Sequence, residues 1–136
     1  EPSAGLRQGE GTILVAEDDD RVRNLLKTML ENVGYTVLTA RDGEDALKVF
    51  EENKTRVDLV ILDVVMPRLG GREVVERLYA EHPDLPMVLS TGYSGLALDG
   101  DFVKKYNLQL IRKPFVPSEL MRVLQESMTH RRPRSS

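Results

Sequence analysis

The sequence predicts an α/β fold: a five-stranded parallel sheet of strand order 2-1-3-4-5, doubly wound into three layers with helices on both faces. Five short apolar segments alternate with five segments of helical character, and this alternation indicates parallel strands because a parallel return needs a helix-length crossover. The run Leu59-Val60-Ile61-Leu62 is apolar without interruption, as is typical of a strand buried on both faces. Asp63 ends this run, at the edge where open α/β sheets bind their ligands.

Both ends of the chain are predicted to lie outside the fold. Residues 1–11 are rich in glycine and polar groups, which predicts a linker or a disordered tail. We expect the folded domain to span residues 12–130 and a frayed basic tail to follow over residues 131–136. Because the sequence begins at Glu1 rather than at methionine, we expect a processed or excised piece.

The first strand–helix unit begins at residue 12. Residues 12–16 are apolar and predict the first strand. Apolar residues at helical spacing predict the first helix: Val22, Leu25, Leu26, Met29, Leu30 and Val33. Asp19 or Asp20 is expected to cap this helix at its start, and Gly34 is expected to end it.

Two further strand–helix units follow. Residues 35–40 predict the second strand, and residues 44–53 predict a helix with Ala46, Leu47 and Phe50 on its apolar side. The run that ends at Asp63 is the third strand. Residues 72–82 then predict a helix that faces the core through its apolar residues, which are Val74, Val75 and Leu78.

The last two units are shorter. Residues 87–91 predict the fourth strand, and residues 95–106 favour only a short helix because Gly95 and Gly100 lower helix propensity. Residues 108–112 predict the fifth strand. A final helix from about Pro117, with Ser118 as its N-cap, is expected to bury Leu120, Val123, Leu124 and Met128. These units complete a flavodoxin-like architecture.

Composition excludes several kinds of protein. The net charge of −3 and the isoelectric point near 5.5 give no basic footprint for nucleic acid. The chain has no cysteine and only two histidines, so disulfides and a zinc site of Cys or His ligands are not expected. No apolar run reaches the roughly 18 residues that span a bilayer. We therefore expect no contact of this domain with nucleic acid or membrane, and a cytoplasmic location even where the parent chain is membrane-anchored.

Polar residues lie at the carboxyl ends of four of the five predicted strands. They are Glu17 and Asp18 at the end of the first strand, Asp63 at the end of the third, Thr91 at the end of the fourth and Lys113 at the end of the fifth. Parallel strands end at one edge of a sheet, so we expect these side chains to converge. Three neighbouring carboxylates raise one another's pKa unless a cation lies among them, and oxygen ligands without His or Cys suit Mg²⁺.

This arrangement favours phosphoryl transfer to a carboxylate. Asp63 is the candidate nucleophile, and a loose in-line transition state needs positioning and charge neutralisation more than a general base. Glu17 and Asp18 are the candidate metal ligands. Thr91 and Lys113 would hold the phosphoryl oxygens. The simpler alternative is that Asp63 only caps a turn.

Four motifs together resemble the receiver domain of two-component response regulators over residues 11–128. They are Ile13-Leu14-Val15-Ala16-Glu17-Asp18-Asp19, Leu62-Asp63-Val64-Val65-Met66-Pro67, Ser90-Thr91-Gly92 and Lys113-Pro114-Phe115. The resemblance implies that Asp63 accepts a phosphoryl group from a phosphohistidine of a histidine kinase or a histidine phosphotransfer protein. It also implies a Mg²⁺ ion bound by Asp18, Asp63 and the backbone carbonyl of Val65, with Glu17 acting through water.

The resemblance further implies a two-state switch, in which Thr91 and Lys113 contact the phosphate and alter a face formed by the fourth helix, fifth strand and fifth helix. A homodimer through that face is an expectation. At the second switch position, where receivers usually carry Tyr or Phe, this sequence has Leu110, so the usual threonine–aromatic relay is not expected. By the same resemblance, Val65 and Tyr93 occupy family positions that influence how fast phosphate is lost, and an apolar Val and a bulky Tyr predict a fairly long-lived phosphorylated form.

Other functions remain as alternatives. A phosphatase of the haloacid dehalogenase type would need an acid two residues after the nucleophile, where this chain has Val65. A nucleotide- or flavin-binding fold would need a glycine-rich loop after the first strand, where this chain has acids. A receiver-like interaction domain that is never phosphorylated remains open because of Leu110. Two segments resemble receivers fused to the end of hybrid sensor histidine kinases, with a stand-alone response regulator as the alternative: Gly9-Glu10-Gly11-Thr12-Ile13-Leu14-Val15 and Ser90-Thr91-Gly92-Tyr93-Ser94.

Overall fold

Within residues 9–92 and 100–129, which the computed structural model describes, five strands form one parallel sheet. The strands are β1 (Thr12–Ala16), β2 (Thr36–Ala40), β3 (Val57–Asp63), β4 (Met87–Thr91) and β5 (Gln109–Arg112). Their order across the sheet is β2-β1-β3-β4-β5, which confirms the predicted order and the flavodoxin-like fold. The helices are α1 (Asp20–Val33), α2 (Gly43–Asn53), α3 (Gly71–Glu81), α4 (Gly100–Lys105) and α5 (Pro117–Thr129).

The core lies on both faces of the sheet. Side chains alternate along each strand, so Ile13 and Val15 of β1 face one side while Leu14 and Ala16 face the other. The first side is covered by α1 and α5, and the second by α2, α3 and α4. Every residue of β1 is buried, which explains why the strand sequence is apolar without alternation.

The structure agrees with the predicted caps at both ends of α1, where Asp19 begins the helix and Gly34 ends it, and disagrees at the start of α5. Asp19 caps α1, since its Oδ1 accepts hydrogen bonds from the backbone N–H of Arg21 (2.9 Å) and Val22 (3.3 Å). The prediction that Ser118 is the N-cap of α5 is wrong. Pro117 is already helical, because its fixed φ and missing N–H suit the first position of a helix.

A register shift between β1 and β3 aligns the ends of these strands. Thr12 pairs with Val57 but Ile13 pairs with Leu59, so the register between the two strands skips Asp58. The side chain of Asp58 joins the two strands at this point, because its Oδ2 accepts a hydrogen bond from the backbone N–H of Thr12 at 2.9 Å. Beyond the shift the register runs evenly to the pair Ala16 and Leu62. The next residues, Glu17 and Asp63, therefore leave the sheet side by side.

Helix α4 is short and is anchored by one aromatic residue. Phe102 is buried against the core, and the guanidinium of Arg72 in α3 stacks on its ring at 4.5 Å. The predictions for Tyr93, for residues 95–99 and for both tails at residues 1–8 and 130–136 lie outside the described residues. None of the helices in the described ranges combines the length and the apolar character that crossing a bilayer requires.

Candidate functional site

The site lies at the carboxyl edge of the sheet, where β1 and β3 end next to each other. Asp63 is the last residue of β3 and Glu17 follows β1, and both are buried with exposed fractions of 6% and 2%. Asp18, one residue further, is exposed. Burial of two carboxylates at a strand end costs free energy unless a cation or hydrogen bonds compensate. This edge of the sheet is therefore expected to hold a compensating positive charge.

The three acids form a group that fits a small divalent cation. One carboxylate oxygen from each of Glu17, Asp18 and Asp63 lies within 4.8 Å of the others. Buried Glu17 Oε1 lies 2.7 Å from the ammonium of Lys113, so this oxygen already holds one positive charge and could hold a metal cation in its place. An all-oxygen set of this kind suits Mg²⁺, which keeps several waters and is held by one or two carboxylates.

Lys113 supplies a positive charge inside this group. Its Nζ lies 2.7 Å from Glu17 Oε1 and 3.1 Å from Asp63 Oδ2, to which it donates a hydrogen bond. The lysine follows β5 on the far side of β4, and its backbone N–H donates to the carbonyl of Thr91 at 2.9 Å. The structure therefore brings together residues that were predicted from three separate strand ends.

Burial and the neighbouring charges set the protonation of this group. Burial raises the pKa of Asp63, against the lowering effect of the Lys113 charge and hydrogen bond, and the charge of Asp18 raises it slightly further. Burial likewise raises the pKa of Glu17. Burial lowers the pKa of Lys113, but its bonds to the two carboxylates outweigh this and the pKa is raised. The sequence predicted that repulsion among the acids raises their pKa values. For Asp63 and Glu17, this repulsion raises the pKa less than burial does.

Thr91 and Leu110 lie on the β4–β5 side of the site. Thr91 ends β4, is half-buried and contacts Lys113 through its main chain. Leu110 pairs with Leu89 across β4 and β5, and 41% of it is exposed. Val65 lies two residues beyond Asp63, its side chain is 72% exposed, and its backbone N–H donates to Asp63 Oδ1 at 3.4 Å.

Two glycines at the first positions of α2 and α3 position the loop after Asp63. A Cβ on Gly71, the first residue of α3, would lie 2.4 Å from the carbonyl oxygen of Asp63. A Cβ on Gly43, the first residue of α2, would lie 2.0 Å from the carbonyl oxygen of Leu69. Both helices thus begin in direct contact with the loop, which only glycine permits. The signal in the sequence that could have identified these two close contacts is a glycine at the start of each helix.

The sequence model of the response regulator receiver domain matches residues 13–125 of this chain. The chain is 33% identical over 120 residues to the sensor kinase CckA of Brucella abortus (strain 2308), a match that covers 88% of this chain and 13% of that protein. It is 40% identical over 113 residues to the alkaline phosphatase synthesis transcriptional regulatory protein PhoP of Bacillus subtilis (strain 168), covering 79% of this chain and 44% of PhoP. The chain therefore spans less than half the length of these curated relatives.

Solved structures agree with the sequence comparison. A response regulator receiver domain protein from Clostridium thermocellum superposes with a TM-score of 0.82 at 28% identity, covering 88% of this chain and 94% of that one. The receiver domain of NtrX from Brucella abortus superposes with a TM-score of 0.79 at 26% identity, covering 87% of this chain and 98% of that one. In both matches the similarity covers nearly the whole of the neighbour's chain.

Proposed function

This chain belongs to the response regulator receiver domain family, and we propose that Asp63 accepts a phosphoryl group from a phosphohistidine on a partner protein. Receiver domains of two-component systems interact with histidine kinases or phosphotransfer proteins, and either is the proposed donor. The observation that carries the proposal is the contact of Lys113 Nζ with Asp63 Oδ2 at 3.1 Å, beside the three clustered carboxylates. A nucleophile, a cation and candidate metal ligands thus share one edge of the sheet.

The proposed reaction is an in-line displacement at phosphorus. A carboxylate oxygen of Asp63 forms the new P–O bond while the P–N bond to the imidazole breaks. The electron pair of the broken bond stays on the imidazole nitrogen, and the ring leaves neutral when its other nitrogen carries a proton. Asp63 must be ionised to attack, and Lys113 favours that form because its charge opposes the effect of burial on the pKa. The domain is a phosphoacceptor rather than a classical enzyme.

Each remaining residue of the group has a proposed task. Mg²⁺, held by Asp18, Asp63 and the backbone carbonyl of Val65 with Glu17 acting through water, would supply charge neutralisation at the phosphoryl oxygens. Lys113 would exchange its contact with the Asp63 carboxylate for one with a phosphoryl oxygen. Thr91, whose carbonyl already accepts the Lys113 N–H, would donate its hydroxyl to another.

The proposed output surface is formed by α4, β5 and α5. Phosphorylation would add charge beside Thr91 and Lys113, and their rearrangement would bias this surface between two states, through which a homodimer could form. Leu110 cannot act as the hydrogen-bonding or stacking side chain that an aromatic residue would provide. Because Leu110 lies in β5 and is 41% exposed, it would instead offer an apolar side chain to a partner at the proposed output surface.

The parent protein is proposed to be a hybrid sensor histidine kinase in the cytoplasm or anchored to a membrane. The match to a sensor kinase over 88% of this chain supports this proposal. The match to the transcriptional regulator PhoP shows that similar receivers also occur in response regulators, so a stand-alone regulator remains the alternative. The two parents differ in whether the phosphoryl group comes from the same polypeptide.

Amide NMR with fluoroberyllate, a mimic of the phosphoryl group on aspartate, tests the site. Addition with Mg²⁺ should shift the amides of Asp63, Val64 and Thr91 together, and the Asp63→Asn variant should show no such shift. Asp58→Asn is the matched control, because Asp58 lies on the same strand but its carboxylate accepts the N–H of Thr12. Equal shifts in wild type and Asp63→Asn would rule out Asp63 as the acceptor.

A further inference from the structure

The two candidate metal ligands of β1 are joined by one peptide unit. The carbonyl of Glu17 and the N–H of Asp18 belong to the same planar group, and its orientation is set by ψ of Glu17 and φ of Asp18, the torsions at the two Cα atoms that carry the ligand side chains. The N–H of Glu17 donates to the carbonyl of Ala40 at 3.1 Å, which holds one side of Glu17. The orientation of the peptide unit itself depends on what its carbonyl oxygen contacts.

Arg23 holds this carbonyl. Its Nη1 donates to the backbone oxygen of Glu17 at 2.8 Å, from one turn inside α1. Its Nη2 donates to the carboxylate of Asp20. Only 12% of the Arg23 side chain is exposed, against 76% for Asp20, so the guanidinium is packed into the β1–α1 turn rather than extended into solvent.

Further hydrogen bonds in the β1–α1 turn hold Glu17 and Asp19 in place relative to α1. Glu17 Oε2 accepts the backbone N–H of Asp19 at 3.0 Å, and Asp19 in turn caps α1. The backbone N–H of Arg23 donates to the carbonyl of Asp19 at 2.9 Å. The side chain and the main chain of Arg23 thus tie the helix to both ends of the acidic turn, and the planar guanidinium suits two acceptors held at a fixed angle.

We infer that Arg23 is a positioning residue for divalent-cation binding, which it promotes by fixing the Glu17–Asp18 peptide unit. This inference rests on the proposed function, since it concerns the cation site of that function. Charge alone predicts the opposite effect, because a guanidinium near the acids repels a cation. Removal of Arg23 should therefore weaken cation binding if its task is positioning, and strengthen binding if only its charge matters.

The test is direct titration of the chain with Mg²⁺ by calorimetry or amide NMR, without any phosphoryl donor. Arg23→Gln should raise the Kd for Mg²⁺ about tenfold, the size of effect usual for residues that orient metal ligands. Arg23→Lys keeps the charge and one donor, so it should recover part of this loss. Unchanged or tighter binding by folded Arg23→Gln overturns the inference.

Arg21→Gln is the matched control. Arg21 is an exposed arginine in the same turn of α1, and its backbone N–H, not its side chain, contacts Asp19. Its replacement removes one positive charge near the acids but leaves the Glu17 carbonyl bound. Mg²⁺ affinity should be unchanged or slightly tighter, and a loss equal to that of Arg23→Gln overturns the inference because the effect would then not come from the carbonyl contact.

Two readouts separate positioning from general stabilisation. Thermal unfolding without Mg²⁺ reports the structural contribution of Arg23, and the Kd of the folded protein reports positioning. A lower Tm with an unchanged Kd overturns the inference, and Arg23→Lys decides the question if Arg23→Gln does not fold. Wild-type protein that fails to bind millimolar Mg²⁺ overturns both the inference and the cation site of the proposed function. Binding by wild type and Arg23→Gln alike overturns the inference alone.

Discussion

The ammonium of Lys113 lies closer to Glu17 than to the proposed acceptor Asp63, with Nζ–O distances of 2.7 and 3.1 Å. Without a divalent cation, this lysine is therefore the main compensating charge for two buried carboxylates. A cation that binds the same oxygens competes with Lys113 for them. The stability of the domain and the proposed cation binding and phosphoryl acceptance are consequently coupled through these three side chains.

Replacement of Asp63 by asparagine should stabilise the protein at pH 7 without Mg²⁺. Folding raises the pKa of Asp63, chiefly by burial, so ionisation of this group opposes folding. This unfavourable effect is absent below the unfolded pKa and grows as the pH rises through the folded pKa. Asp63→Asn should raise the Tm at pH 7 by about 3 °C, and the difference from wild type should vanish at acidic pH. A Tm for the variant below that of wild type at pH 7 would contradict this prediction.

Replacement of Lys113 by methionine should destabilise the protein at pH 7. The change leaves Glu17 and Asp63 buried without their cation, and loss of one partner from a partly exposed ion pair of this kind costs about 2 kcal/mol. Urea unfolding measures the loss, and Mg²⁺ should restore part of it. Lys54→Met is the control, because the pair of Lys54 with Glu51 is exposed to solvent that screens it, so its loss should change the unfolding free energy far less. Equal losses in the two variants would refute the compensating role of Lys113.

Replacement of Gly71 by alanine should displace the acceptor. The new Cβ would lie 2.4 Å from the carbonyl oxygen of Asp63, so the end of β3 and the start of α3 must move apart. We expect a loss of about 2 kcal/mol in unfolding free energy and slower phosphoryl uptake. Gly100→Ala is the control, since nothing lies within 4 Å of a Cβ at that position in α4. A Gly71→Ala variant as stable and as reactive as wild type would show that the loop has room to move.

Replacement of Val65 by asparagine should shorten the life of the phosphorylated form. Val65 is 72% exposed two residues beyond Asp63, where a polar side chain can hold an attacking water that valine repels. Phosphate loss, followed by intact mass over time, should be several-fold faster in the variant. Val33→Asn, on an exposed part of α1, should leave the rate unchanged. Loss of phosphate from wild type within seconds would count against the predicted long-lived form.

The periodicity of the sequence is enough to predict the strands and the helices, whereas the predicted strand order came from the usual topology of doubly wound folds. Each strand carries an apolar run, and each helix carries apolar residues at helical spacing, because the sheet is covered on both faces. Convergence of Glu17, Asp63 and Lys113 follows from the topology, since parallel strands end at one edge. The sequence also predicted an N-cap at Asp19 or Asp20, because aspartate is favoured at that position, and Asp19 is the cap in the structure.

Contacts that depend on long-range packing were not predictable in this way. The bond from Thr12 to Asp58 depends on a register shift, and the contact of Gly71 with Asp63 depends on how closely α3 approaches β3. The bond from Arg23 to Glu17 joins a side chain to a carbonyl that no sequence pattern marks. The raised pKa of Asp63 follows mainly from burial, a property of the folded chain.

The central claim is that Asp63 accepts a phosphoryl group in a Mg²⁺-dependent reaction. The most direct measurement is the intact mass of the chain after incubation with acetyl phosphate, with and without Mg²⁺, beside the Asp63→Asn and Asp58→Asn variants. A gain of one phosphoryl group (~80 Da) is expected in wild type and Asp58→Asn, only with Mg²⁺, and not in Asp63→Asn. The same gain in Asp63→Asn, or a gain in wild type that does not depend on Mg²⁺, would contradict the claim.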